Sequence, residues 1–152
     1  MTRLRVLIVD DETIFTQALR RLLQRTHDIE VANDGVQALA AVRAGRRFDV
    51  ILSDVMMPEM NGIELFEEVQ RVDPEQARHF VFLTGGAFGG HAQQKLRKLG
   101  TRQLEKPVDV TALRHMITLV AENEAAIGDP GDNADGGGQG GSGKGQVRAE
   151  ER

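Results

Sequence analysis

Three apolar runs in this sequence end in groups that can do chemistry, and a fourth such group follows a short, largely polar segment. Asp10 and Asp11 follow the first run, Asp54 closes another, Thr84 a third, and Lys106 stands just past Thr101–Glu105. The set is three carboxylates, a hydroxyl and an ammonium. Brought together, the carboxylates repel: two unit charges about 4 Å apart cost on the order of 4 kcal/mol at an effective dielectric of about 20. A hard cation with oxygen ligands relieves that cost. Mg²⁺ in particular takes one or two carboxylates, some waters and a phosphate oxygen. The set therefore suits a metal ion plus a phosphoryl group, with Lys106 as the second positive charge. Taken singly, each residue has a plainer role. Asp11 could cap a helix, Asp54 could open a turn before Pro58, and a lone Thr or Lys near a loop is ordinary.

What unites them is the order of elements. Leu4–Asp10, Asp28–Ala32, Asp49–Asp54, His79–Thr84 and Thr101–Glu105 read as strands. Ile14, Ala18, Leu19, Leu22 and Leu23 recur at helical spacing, predicting a helix over 12–26. Further helices are expected over 34–44, 62–72, 91–99 and 109–126, with Gly45 and Gly100 as stops and Pro74 beyond the third. Five βα units with strongly apolar central strands predict an α/β fold, a doubly wound parallel sheet covered on both faces. In such sheets a ligand site lies beyond the carboxyl ends of the strands. Asp10, Asp11, Asp54, Thr84 and Lys106 all fall at that edge.

Composition narrows the function. The 152 residues carry 19 Lys+Arg against 23 Asp+Glu, a net charge of −4, which argues against a nucleic-acid-binding surface. Cysteine is absent, so disulfides and thiolate chemistry are excluded. No apolar run approaches the roughly 20 residues of a membrane helix, and the start of the chain has no secretory cleavage pattern. A cytoplasmic domain is expected. Nine of the 17 glycines lie beyond residue 127, in a stretch whose only apolar residues are Ala134, Val147 and Ala149. That composition predicts a folded domain over 1–127 and a disordered Gly-rich tail over 128–152. The tail strings that mimic nucleotide or calcium loops lack the flanking elements or key residues those loops need. His27, His79, His91 and His115 show no metal-ligand spacing.

The sequence resembles the receiver domain of two-component response regulators. The likeness runs from residue 4 to about 126. It rests on Asp10-Asp11-Glu12 after an apolar strand and on Asp54-Val55-Met56-Met57-Pro58-Glu59-Met60-Asn61-Gly62. Thr84 follows thirty residues past Asp54, and Lys106-Pro107 twenty-two further on. The loop TGGAF and the string LEKP are similar to receivers attached to hybrid histidine kinases.

The resemblance implies a flavodoxin-like (βα)5 sheet with strand order 2-1-3-4-5. It also implies that Asp54 accepts a phosphoryl group from a phosphohistidine donor. Asp11, Asp54 and the carbonyl of Met56 would bind Mg²⁺ directly, and Asp10 through water. Thr84 and Lys106 would hold the phosphoryl oxygens, with a cis bond before Pro107. The partners would be a histidine kinase or histidine phosphotransfer protein and an unknown downstream protein. Ile14 and Ala18, at the edges of the first helix's apolar stripe, are candidate docking positions, with Phe15 between them. Such a chain would be a signalling domain, not an enzyme beyond its own phosphorylation and dephosphorylation, and a monomer or a phosphorylation-dependent dimer. No DNA-binding or catalytic segment is expected after residue 127, which suggests a stand-alone receiver. Two other functions fit the same residues: an interaction module acting without phosphorylation, and a Mg²⁺-dependent aspartyl phosphohydrolase. One departure matters. Gln103 stands three positions before Lys106, where the family carries an aromatic switch residue. The glycines of 84–90 suggest a loop able to close on phosphate.

Overall fold

The computed structural model describes residues 3–85 and 90–122. The Gly-rich tail and residues 86–89 of the expected closing loop lie outside these. Five strands, β1 (Arg5–Val9), β2 (Asp28–Ala32), β3 (Val50–Asp54), β4 (Phe80–Thr84) and β5 (Arg102–Glu105), pair in parallel in the order β2-β1-β3-β4-β5. This is the flavodoxin-like order. The helices are α1 (Thr13–Leu23), α2 (Gly35–Arg43), α3 (Gly62–Val72), α4 (Pro74–Ala77), α5 (Gly90–Leu99) and α6 (Val110–Glu122).

Alternation along the strands sends side chains to two separate cores. Val6, Ile8, Val50, Leu52, Val81 and Leu83 meet Leu19 and Leu23 of α1 and Leu113, Ile117 and Val120 of α6. On the other face Leu7, Val9, Ile51, Phe80 and Phe82 meet α2, α3 and α5 through residues such as Leu39, Phe66 and Leu96. The β3 and β4 strands are buried along their whole length. Each large apolar side chain so buried contributes about 1.5–3 kcal/mol.

Two expectations need correction. The first helix ends at Leu23 rather than residue 26, because Thr26 and His27 turn the chain back into β2 with their amides bonded to Leu23 O. The connection before β4 also holds an extra short helix, α4. Asp73 caps it by accepting from Gln76 N, and Pro74 stands at its first position, where a missing N–H costs nothing. The fully buried Gln76 then clasps the α2–β3 connection. Its Oε1 accepts from Phe48 N at 2.7 Å and its Nε2 donates to Phe48 O at 2.9 Å.

Candidate functional site

The strand order reverses between β1 and β3, since β1 connects to β2 on one side and β3 lies on the other. A crevice opens at the carboxyl ends of that pair. The register sets Val9 beside Ser53, so the next residues, Asp10 and Asp54, end the two strands side by side. Both have the parity of Ile8 and Leu52, toward the α1 and α6 face. Asp10 is fully buried and Asp54 nearly so, whereas Asp11 is exposed. One oxygen from each of the three lies within 4.8 Å of the others, and among the described residues this is the one acidic or histidine cluster of its kind.

Lys106 enters from the far strand. Its backbone N–H donates to Thr84 O at 2.8 Å, tying the ends of β4 and β5 together. The Lys106–Pro107 peptide bond is cis. Lys106 Nζ donates to Asp10 Oδ2 at 2.8 Å and lies 3.5 Å from Asp54 Oδ1 and 3.6 Å from Glu12 Oε1. Burial would lower its pKa. The hydrogen bond to Asp10 and the charges of Asp10, Asp54 and Glu12 outweigh that and hold it above the usual lysine value. Thr84 is buried at the end of β4.

A single ammonium does not balance Asp10, Asp11, Glu12 and Asp54. The imbalance registers at Asp54, whose pKa is pushed up to about 6, first by burial and then by the charge of Asp10, with Lys106 opposing. Three convergent hard oxygen donors carrying excess negative charge fit a small divalent cation.

The loop after Asp54 is fixed tightly. Gly62 N donates to Val55 O at 2.8 Å, and a Cβ on Gly62 would fall 2.2 Å from Asp54 O. Only glycine lets α3 start so close to the strand end. Asn61 and Glu64 form a capping box at that start. Glu59, in the same loop, has a φ of 66°, a left-handed conformation unusual for a side-chain-bearing residue. Met56 leads into the loop with its side chain exposed.

The structure thus gathers Asp10, Asp11, Asp54 and Lys106 and sets Thr84 on the adjoining strand end. Ile14 and Ala18 lie apart from this cluster, exposed on α1, with Leu22 one turn further along the same face and Phe15 half-buried. Asp11 caps nothing. The cap position of α1 is Glu12, and Asp10 Oδ1 accepts from Glu12 N. Gln103 is exposed on β5, His27 and His79 are buried, and His91 and His115 are exposed. Two contributors were not recognised as such in the sequence: Glu12, read only as part of the acidic motif, and Phe15, whose ring centroid is 4.3 Å from Lys106 Nζ. Its place in the first turn of the helix that follows the acids was the available signal.

The chain is thus a doubly wound α/β domain with an acidic crevice at its switch point and a lysine reaching in from beyond the last strand. The response regulator receiver domain model matches residues 6–118, and the chain belongs to that family. An uncharacterised response regulatory protein of Yersinia pestis is 34% identical over 122 residues, covering 79% of this chain and 49% of that protein. The transcriptional regulatory protein BtsR of Salmonella typhi is 32% identical over 138 residues, covering 82% and 56%. The chain therefore spans about half the length of these curated relatives. A CheY-like receiver domain protein from Methanospirillum hungatei superposes with a TM-score of 0.73 at 24% identity, over 83% of this chain and 99% of that one. Among the described residues no helix is long and apolar enough to cross a membrane.

Proposed function

We propose that the chain accepts a phosphoryl group on Asp54 from a phosphohistidine of a kinase or phosphotransfer protein and signals by protein contact. The observation that carries this is the position of Lys106 Nζ, 2.8 Å from Asp10 and 3.5 Å from Asp54, beside three carboxylates whose oxygens converge within 4.8 Å. An Asp54 oxygen forms a bond to phosphorus as the P–N bond to the donor imidazole breaks. The imidazole leaves with the bonding pair and takes up a proton. Lys106 neutralises charge on the equatorial oxygens, where phosphoryl transfer depends on positioning and electrostatics. The Thr84 hydroxyl donates to one of those oxygens. Asp11, Asp54 and the Met56 carbonyl would hold Mg²⁺, with Asp10 acting through water. Bound there, the ion neutralises the carboxylates and the incoming phosphoryl oxygens.

The exposed stripe of Ile14, Ala18 and Leu22 on α1 begins one turn beyond the acids and is the surface offered to the donor. A donor of this kind places the domain in the cytoplasm.

The test is incubation with acetyl phosphate and Mg²⁺ followed by intact mass. The P–O bond to acetate breaks as the bond to Asp54 forms, so one phosphoryl group per chain is expected, and none after chelation or in Asp54→Asn. Continuous release of many phosphates per chain would indicate a hydrolase instead. No uptake at all would indicate a module that works without phosphate.

A further inference from the structure

A lysine ammonium on a four-carbon stem is a mobile point charge with three donors. Here its donors face Asp10, Glu12 and Asp54, but only the Asp10 contact is short. The ammonium stands closer to Asp10 than to Asp54, the residue that must react. The Phe15 ring stands on another side of it, with its centroid 4.3 Å from Nζ. An aromatic face carries negative quadrupole charge and attracts a cation, most strongly where water is excluded. The Lys106 side chain is only 16% exposed. Phe15 is itself anchored, packed against the core that holds Leu19 and Leu113. Helical side chains lean toward the helix N-terminus, and α1 starts directly after the acids, which lets a ring on its first turn reach Lys106.

We propose that Phe15 is a positioning residue that acts through Lys106, its ring holding the ammonium between Asp10 and Asp54 for phosphoryl transfer. The inference rests on the receiver reading of this site. It makes α1 part of the reactive apparatus as well as the docking surface, since exposed Ile14 and half-buried Phe15 are neighbours.

The test uses the full chain with Phe15→Leu, which keeps apolar packing but removes the ring, and Phe15→Tyr, which keeps the ring. In wild type and Phe15→Tyr the Lys106 ε-methylene protons should be shifted upfield by the ring current. In Phe15→Leu they should return to ordinary lysine positions. At saturating Mg²⁺, Phe15→Leu should be phosphorylated by acetyl phosphate about three- to tenfold more slowly, while Phe15→Tyr stays within about twofold of wild type. Mg²⁺ affinity should be unchanged in both. A Phe15→Leu rate equal to wild type, or a Phe15→Tyr rate as slow as Phe15→Leu, would overturn the inference. So would a Lys106 signal in wild type without the upfield shift. Should the shift be present while wild type takes up no phosphoryl group, the receiver reading fails and this inference with it. Should wild type be phosphorylated and Phe15→Leu match it, this inference alone fails.

Discussion

Lys106 and Asp10, 96 positions apart in the chain, meet at 2.8 Å in the crevice where the sheet changes direction. Asp10 is fully buried, and a buried carboxylate is tolerable only when paired and hydrogen-bonded. Lys106 meets that need while also standing within reach of Asp54. One side chain thus pairs a buried charge and stands beside the proposed phosphoryl acceptor.

Lys106→Met keeps the stem and removes the charge. Losing a charged hydrogen bond to a buried group should lower stability by about 1–3 kcal/mol. Losing the donor to the phosphoryl oxygens should slow phosphorylation by about 10²–10³-fold. Urea unfolding and acetyl phosphate kinetics on the same variant check both. A stable variant that reacts at the wild-type rate would remove Lys106 from the site's chemistry.

The raised pKa of Asp54 sets a pH dependence with a definite sign. Unfolded, the carboxyl ionises near 3.8; folded, it holds its proton up to about 6. The stability it contributes is fully present below the lower value and is lost as pH rises through the upper one. Asp54→Asn escapes that loss. In metal-free buffer above pH 7 it should be more stable than wild type by about 1–3 kcal/mol, and the gain should vanish near pH 3. Denaturation midpoints across that range decide the matter. An equal gain at both ends would place its cause elsewhere.

Gly62→Ala tests the tight loop. The new Cβ would meet Asp54 O at 2.2 Å and the Val55 Cα at 3.0 Å, both backbone atoms with no flexible end to swing aside. The expected cost is about 1–3 kcal/mol, together with weaker Mg²⁺ binding because Asp54 is displaced. Calorimetric unfolding and Mg²⁺ titration would show it. Unchanged values for both would mean that the loop has slack.

Much of this was legible in the residues because each signal was local. Apolar runs marked β1, β3 and β4, the alternation of strand and helix implied β2 and β5, and the strand ends pointed to Asp10, Asp11, Asp54, Thr84 and Lys106 before any geometry was known. What stayed hidden depends on contacts between distant segments. Nothing around Gln76 announces that its amide will clasp Phe48, 28 positions earlier, and so account for a short fourth helix. The Phe15 ring reads as core or docking surface until the fold brings Lys106 to it from the last strand. The close approach of α3 behind Gly62 is likewise a fact of three dimensions.

The most direct measurement is where the phosphoryl group goes. Treating the phosphorylated chain with borohydride converts an acyl phosphate to an alcohol, which peptide mapping can locate. Conversion at Asp54 alone, dependent on Mg²⁺, is the expected result. Label at any other residue, or a phosphorylated chain with Asp54 intact, would contradict it.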